Sequence, residues 1–324
     1  MKAAVIYENG SPDVLRYEDV PDPECPDGRV LIDVEAISIE GGDVLVLARA
    51  GSPPQSVPHI VGYLAAGTVI AVGAGVQDRA VGDRIVTLNP AGSHASKRAV
   101  PAMSTWPIPD GLDATAAACV PVAFGTAQEC LFTAGHLDAG QTVLIHAGAG
   151  GVGMAAIQLA KHAGATVIST ASSDEKLERL RELGLDHVIN YASQNFVERT
   201  RELTDGRGAD VILDSVGGQN LVDSIGVLAY RGRLVSVGVA ARAGSAIEAQ
   251  SLWTKNNSLH GVFLGGAILP EYARIHTMIG EMLQRVASGE LKVQIDRSFA
   301  LADAAAAHAY VESRKAFGRV VITP

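Results

Sequence analysis

The chain has 324 residues and is short of cysteine, of positive charge and of long apolar runs. Its three cysteines, Cys25, Cys119 and Cys130, include no Cys-x-x-Cys pair. So sparse and odd a set makes no disulfide framework, and it cannot supply four-cysteine zinc. Cys119, within ATAAACVPVAF, reads as a small core residue. Lys and Arg number 26 against 35 Asp and Glu, a net charge of −9, with no Lys/Arg run longer than two. Nucleic-acid binders show a basic face, so this balance argues against a phosphate-backbone partner. The opening MKAAVIYENG is too short in apolar residues for a secretory h-region and reads as a strand. The longest uncharged stretch, Ala139 to Ala160, approaches the length of a membrane span. It holds five glycines, His146 and two glutamines, and it divides into strand, turn and helix, so a span is rejected. No internal repeat or low-complexity linker appears beyond a strand–helix rhythm. What remains is 48% apolar and 19% charged, an ordinary globular composition. The length suggests two domains, and a soluble, cytoplasmic protein is expected.

The N-terminal third carries short β-type runs, RVLIDVEAI, LAAGTVIAVG and GDRIVTL, separated by turn residues. That texture predicts a compact barrel or sandwich. From about Phe124 strands and helices alternate. The run Thr142–Ile145 reads as a buried strand. Then come a strand at 166–170, a charged helix from Asp174 to about Leu183, the strand HVIN and a helix around 196–203. The strand DVILD, a helix around 220–228, and the strands GRLVSVG and SLHGVFL follow. Six strands with helical crossovers predict an α/β class with a doubly wound parallel sheet. Beyond Pro270 an amphipathic helix, an Ala-rich helix and a last strand, GRVVI, are expected.

Between the first of those strands and its helix lies HAGAGGVG, residues 146–153, where four of eight positions are glycine. Gly148, Gly150 and Gly153 fit G-x-G-x-x-G. One glycine makes the tight turn, one admits a pyrophosphate to the backbone, and one lets helix and strand pack closely. The amides from Gly148 through Ala149, Gly150, Gly151 and Val152 to Gly153 would then face the phosphates. The plainer reading, a tight turn without a ligand, loses force because strand, helix and further βα units surround it. In NAD-binding sheets an acid about twenty residues on holds the ribose 2′-hydroxyl. Here the second strand runs into Ala171-Ser172-Ser173, with no acid at its tip. Ser172, Ser173 and Lys176 would instead meet a 2′-phosphate, which predicts NADPH. Against this, Ser173 reads equally as a helix cap, and Asp174 could turn toward a ribose. Ligands of such sheets lie at carboxyl strand ends. The ends around Asp214, Ser215, Val216 and Gly217, Val237 and Gly238, and Phe263 and Leu264 are therefore candidates for the nicotinamide.

The stretch VLIHAGAGGVGMAAIQLAKHAGATVISTASSDEKLERLRELGLDHVINY strongly resembles the zinc-independent quinone oxidoreductases of the medium-chain dehydrogenase/reductase superfamily, the zeta-crystallin-like family. GDRIV, IPDGLDATAAACVPVAFGTA, DVILDSVGG and AHAYVESRKAFGRVVI extend the resemblance, in order, over essentially the whole chain. It implies a GroES-like catalytic domain over 1–123, a Rossmann domain over 124–264, and a C-terminal segment, 265–324, that returns to the catalytic domain. It also implies an interdomain cleft, and a homodimer formed partly through the sixth Rossmann strand near Ser258–Leu264. By the same resemblance Thr126 touches the nicotinamide side, and Tyr191 and Arg314 approach the 2′-phosphate. The zinc alcohol dehydrogenases of this superfamily place a cysteine where this chain has Glu40, and a His-Glu pair where it reads Tyr63-Leu64. Zinc needs three protein ligands, so no metal is expected. The quinone reductases commonly carry asparagine at the position of Glu40 and tyrosines soon after. This chain reads DVLVLARAGS there, which replaces the usual polar contacts.

Two residues are left as catalytic candidates. Tyr63 can donate a hydrogen bond from a neutral phenol, or it can be a core or rim residue. Glu40 can relay a proton or touch ribose or substrate, or it can be a surface acid at a strand end. Asp43 reads as a turn or cap residue. His146 is expected to satisfy backbone at its strand end rather than to act as an acid. The activity expected is hydride transfer from NADPH to a quinone or similar conjugated carbonyl. An enone, alkene or ketone reductase is the alternative. A non-catalytic NADPH-binding protein is the rival of another class, since the resembling family includes lens crystallins.

Overall fold

The computed structural model describes residues 1–49, 52–54 and 56–324. The stretch DVLVLARAGS therefore runs into two residues, Ala50 and Gly51, that lie outside the described set. In chain order the first elements are β1 (Lys2–Ile6), β2 (Arg16–Asp19), β3 (Arg29–Ser38), α1 (Gly41–Leu47), β4 (His59–Ile60), β5 (Leu64–Val72), β6 (Arg84–Leu88), β7 (Lys97–Pro101) and β8 (Thr105–Pro107). Then come α2 (Ala114–Ala118), α3 (Val120–Gln128), β9 (Thr142–Ile145), α4 (Gly151–His162), β10 (Thr166–Ala171), α5 (Asp174–Arg181), β11 (His187–Asn190) and α6 (Phe196–Leu203). β12 (Ala209–Asp214), α7 (Gln219–Ile225), β13 (Leu228–Ser236), β14 (Ser258–Gly261) and α8 (Leu264–Ala267) follow. The chain closes with α9 (Tyr272–Ala287), β15 (Ile295–Ala300), α10 (Ala304–Glu312) and β16 (Arg319–Thr323).

Two compact units result, one made of residues 1–122 and 271–324, the other of 123–270. In the first, β15, β16, β3, β5, β6 and β8 neighbour one another in that order, β7 pairs with β3, and β2-β1-β4 form a smaller sheet. The pairings are antiparallel except for β15 with β16. β3 shows why: Val30, Ile32 and Val34 alternate inward, as a strand with one buried face requires. Its core gathers Val30, Ile32, Ile37, Val69, Ile85, Val100 and Ile322 with Ala304 and Ala307 of the Ala-rich helix. The C-terminal segment thus completes the core of the unit that the N-terminus begins.

The second unit holds six parallel strands in the order β11-β10-β9-β12-β13-β14. The central strand β9, TVLI, is buried throughout, as expected where helices cover both faces. Leu144, Ile168, Ile212 and Leu234 from four strands meet Leu221 and Ile225 of α7 in one core. Two expectations need correction. The helix read over 220–228 stops at Ile225, where Gly226 caps it, and Leu228 already belongs to β13. The strand read as SLHGVFL ends at Gly261, and Phe263 caps the short α8. Among the described residues no helix is long and apolar enough to cross a membrane.

Candidate active site

In the second unit the chain lays down β9, β10 and β11 to one side, then returns to add β12, β13 and β14 on the other. Ligands of open parallel sheets gather at such a reversal, at the carboxyl ends of the strands. The turn after β9 sits there. Gly150 is the N-cap of α4, in extended conformation, and no side chain caps the helix. The amides of Gly151, Val152 and Gly153, with the turn residue Ala149 before them, form an open helix start suited to a phosphate. The glycines divide their roles. A Cβ on Gly148 would lie 2.0 Å from Ser169 Oγ, and one on Gly153 would lie 2.4 Å from the Ala147 carbonyl. Those two positions let turn, strand and helix close on each other. A Cβ on Gly150 would meet only the Ala147 carbonyl, at 3.3 Å. The left-handed residue of the turn is Ala147, at φ 54°, rather than a glycine.

His146 sits beneath this turn. Its Nδ1 faces Thr170 Oγ1 at 3.2 Å and its Nε2 faces Ser224 Oγ at 3.0 Å, so its partners are hydroxyls and not the expected backbone. Burial pushes its pKa down to about 4, against the pull of Asp214. It is a neutral strut between β10 and α7. Asp214, fully buried, accepts from the amides of Val216 (2.6 Å) and Gly217 (2.7 Å) and from Asn220 Nδ2 (2.8 Å). The Val237 amide donates to the Asp214 carbonyl, and a Cβ on Gly238 would lie 2.6 Å from the Ser215 carbonyl. Val216, Val237 and Gly238 are therefore brought together. Phe263 is 79% exposed, whereas Leu264 is buried in α8 instead of ending a strand. Thr126 is buried on α3.

At the tip of β10, Ser173 caps α5 by accepting from the Lys176 amide, and Ser172 is exposed. The Tyr191 amide donates to the Ala171 carbonyl, which sets that half-exposed tyrosine beside the same tip. Asp174, the acid that could have turned to a ribose, accepts instead from Asn190 Nδ2 at 2.9 Å. Ser172, Ser173, Lys176 and Tyr191 thus share one corner. Arg314 follows α10 and belongs to the first unit.

In the first unit, Tyr63 precedes β5 and is half-buried. Its ring lies against Gly42, where a Cβ would stand 2.5 Å from Cε2 and 2.7 Å from the hydroxyl. Burial, then the nearby Asp43, pushes its phenol up to about 12, so it stays protonated. Glu40 is 2% exposed, which corrects the alternative of a surface acid at a strand end. Its carboxylate is held by the Arg319 guanidinium and by Ser38 Oγ at 3.1 Å, while Arg319 Nη2 also donates to Ser38 Oγ and the Ile39 carbonyl. Asp43 is buried beside it, and its Oδ2 accepts from the Glu40 amide at 2.8 Å. Burial pushes the Asp43 carboxyl up to about 8. Arg319 and a second buried arginine, Arg98, were not singled out from sequence. Both sit at inward positions of strands.

Comparison with known proteins agrees with this layout. The family described as alcohol dehydrogenase GroES-like domain matches residues 26–131, and zinc-binding dehydrogenase matches 151–286. A 2-haloacrylate reductase from Burkholderia is 36% identical over 99% of this chain and 98% of its own length. A quinone oxidoreductase from Pseudomonas aeruginosa is 33% identical, with 97% of each chain covered. The chain belongs to the quinone oxidoreductase family of the medium-chain dehydrogenase/reductase superfamily. The Escherichia coli quinone oxidoreductase, solved with NADPH, superposes with a TM-score of 0.94 over the full length of both chains at 29% identity. As a member of this family the protein is an oxidoreductase.

The family's zinc-binding branch raises the question of metal, and the positions where the resemblance places zinc ligands read Glu40, Tyr63 and Leu64 here. Leu64 has no donor, Tyr63 keeps its proton, and Glu40 is occupied by Arg319. Among the described residues no three His, Cys, Asp or Glu side chains are grouped to hold an ion.

Proposed function

We propose that this oxidoreductase reduces a conjugated carbonyl, a quinone in the first place, with NADPH and without zinc. The corner of Ser172, Ser173, Lys176 and Tyr191 takes the 2′-phosphate. The amides of Ala149, Gly151, Val152 and Gly153 take the diphosphate. The strand ends at Val216, Val237 and Gly238, with Thr126 and the helix cap Phe263, face the nicotinamide. Bound NADPH supplies a hydride.

The observation that carries the reading is the set of groups around Tyr63. It offers a neutral phenol, while Glu40 is turned to Arg319 and Asp43 Oδ2 accepts from the Glu40 amide. Tyr63 donates a hydrogen bond to the acceptor oxygen, where negative charge develops as hydride arrives. A quinone suits so mild a site, because its product anion is delocalised and needs little acid catalysis. A second reading, reduction of an activated alkene, is favoured by the Burkholderia relative. There the single phenol would matter more.

Initial rates of NADPH oxidation on a panel of quinones, enones and ketones test the reading, before and after dialysis against a strong chelator. Turnover should survive chelation. Tyr63→Phe should lower enone turnover by about 10²-fold and quinone turnover less. Activity that returns only with added zinc would refute the metal-free reading. NADPH binding without turnover on any acceptor would favour a non-catalytic protein. The three unpaired cysteines suit a reducing, cytoplasmic setting.

A further inference from the structure

Arg98 lies on β7 with 3% of its surface exposed. Among the described residues its guanidinium makes no hydrogen bond to a carboxylate. It donates to four backbone carbonyls instead: Nη1 to Tyr63 at 2.9 Å, and Nη2 to Asn89 (2.9 Å), Ala91 (2.6 Å) and Gly62 (3.4 Å). Its Nε is buried without a partner. Burial pushes its pKa down to about 9, with the charge of Asp43 working the other way. A buried cation whose hydrogen bonds go to carbonyls contributes little to stability. An apolar side chain of similar volume would fill the same space without desolvating a charge.

What this arginine does accomplish is geometric. The carbonyls it gathers belong to two segments, 62–63 and 89–91, and one of them is the carbonyl of Tyr63. The Asn89 amide also donates to Tyr63, at 3.1 Å, and the Ser93 amide to Gly62, at 3.2 Å. Gly62 turns the chain in the left-handed region, at φ 101°, with Ser93 Oγ and His94 Nδ1 about where its Cβ would be. The peptide carrying Tyr63 is thus fixed from one side by a turn that tolerates no side chain. The planar fork of Arg98 fixes it from another. The ring emerges over Gly42.

We propose that Arg98 is a positioning residue for Tyr63: its guanidinium holds the 62–63 peptide against the 89–91 segment and so sets where the phenol stands. The proposal rests on the reading of Tyr63 as donor to the acceptor oxygen only for its effect on turnover. The placement itself can be tested without turnover. Arg98→Lys keeps a charge, but one ammonium cannot span both segments as the fork does. Arg98→Met keeps the stem and removes every donor.

With 3-fluorotyrosine at position 63 of the full-length protein, both substitutions should shift or split the single ¹⁹F resonance. On an enone with NADPH, Arg98→Lys should lower kcat by about 10-fold, the scale expected when a reacting group is displaced by a fraction of an ångström. In a Tyr63→Phe background the same substitution should cost less than about twofold, because there is no longer a hydroxyl to misplace. An unchanged ¹⁹F resonance, or an equal loss of kcat in both backgrounds, overturns the proposal. Failure of both variants to fold overturns it too, by making Arg98 a folding residue. If Tyr63→Phe alone leaves turnover unchanged, the reading of Tyr63 falls. The ¹⁹F resonance still decides whether Arg98 places that ring.

Discussion

Replacing the glycines of the turn one at a time separates the cofactor's space from the protein's own packing. Alanine at Gly153 puts a methyl 2.4 Å from the Ala147 carbonyl and 2.7 Å from Gly148 Cα, both backbone atoms that cannot rotate away. Helix and turn must part, an overpacking that costs about 1–3 kcal/mol. The better helix propensity of alanine returns less than about 1 kcal/mol of that. Alanine at Gly148 meets Ser169 Oγ at 2.0 Å, and that hydroxyl donates to the Ile145 carbonyl at 2.8 Å. Turning it away adds about 1 kcal/mol for a lost buried hydrogen bond. Alanine at Gly150 meets one oxygen at 3.3 Å, in a backbone conformation any residue adopts. Its cost to the free protein is about 1 kcal/mol, that of a poorer N-cap. For a unit of this size 1 kcal/mol moves Tm by about 2–4 °C. Gly150→Ala should therefore shift the cofactor-free Tm by a few degrees and the other two by more. Binding should rank the opposite way. On the proposed reading a methyl at Gly150 stands where the diphosphate meets the amides, and loss of one charge-assisted hydrogen bond, about 1.5–3 kcal/mol, should weaken NADPH by roughly 10- to 100-fold. Calorimetry of the cofactor-free variants and fluorescence titration with NADPH give both quantities. A Gly150→Ala protein that binds NADPH within twofold of wild type would show that the diphosphate lies elsewhere.

Three further outcomes are expected. Lys176→Ala should weaken NADPH by about 10- to 100-fold and leave NADH nearly unchanged, in paired dissociation constants; equal losses would dismiss the 2′-phosphate corner. His94 and His308 are both fully buried, with Nε2 atoms 2.9 Å apart; burial holds His94 well below its ordinary value and His308 down to about 4, against the charge of Glu312. A depressed histidine makes the unfolded chain bind more protons below pH 6.5, so stability falls from 6.5 toward 4 by about 1.4 kcal/mol per pH unit and residue. Asp43, raised to about 8, acts with the opposite sign, its stabilisation being complete below 3.8 and lost as pH rises through 8. His308→Gln should flatten the acid slope by about one residue's share in urea unfolding series, and an unaltered slope would remove the pair from the account. β14 ends the six-strand order with Leu259 and Phe263 exposed, an edge that pairing with a second copy would cover. Light scattering should give a dimer for wild type and a monomer for Leu259→Asp, and a monomeric wild type would refute it.

What could be read from sequence was whatever the chemistry keeps local. The strand at 142–145, the helix at 196–203 and the glycine turn follow from residues within a few positions of each other. The same locality explains the errors. Val227 and Leu228 suit a helix face and a strand equally, and only Gly226 as a helix stop separates them. In SLHGVFL the apolar run outlasts the ladder, because Phe263 turns into α8 once β13 has ended.

The charged centre of the first unit lay outside such reasoning altogether. Glu40 meets an arginine 279 residues away, and nothing in AISIEGGD announces it. Arg98 left one trace. In KRAVP it shares the inward phase with Val100, whereas in β16 Arg319 opens a run of four consecutive buried residues. An arginine in the buried phase of a strand must find acceptors. For Arg319 the acceptors are a carboxylate and Ser38; for Arg98 they are the carbonyls that carry Tyr63. Alternation therefore marks Arg98 as a buried cation, but its partner is set by which distant segments the sheet brings together. At this site the partners of Arg98 are the ones proposed to set where the phenol stands.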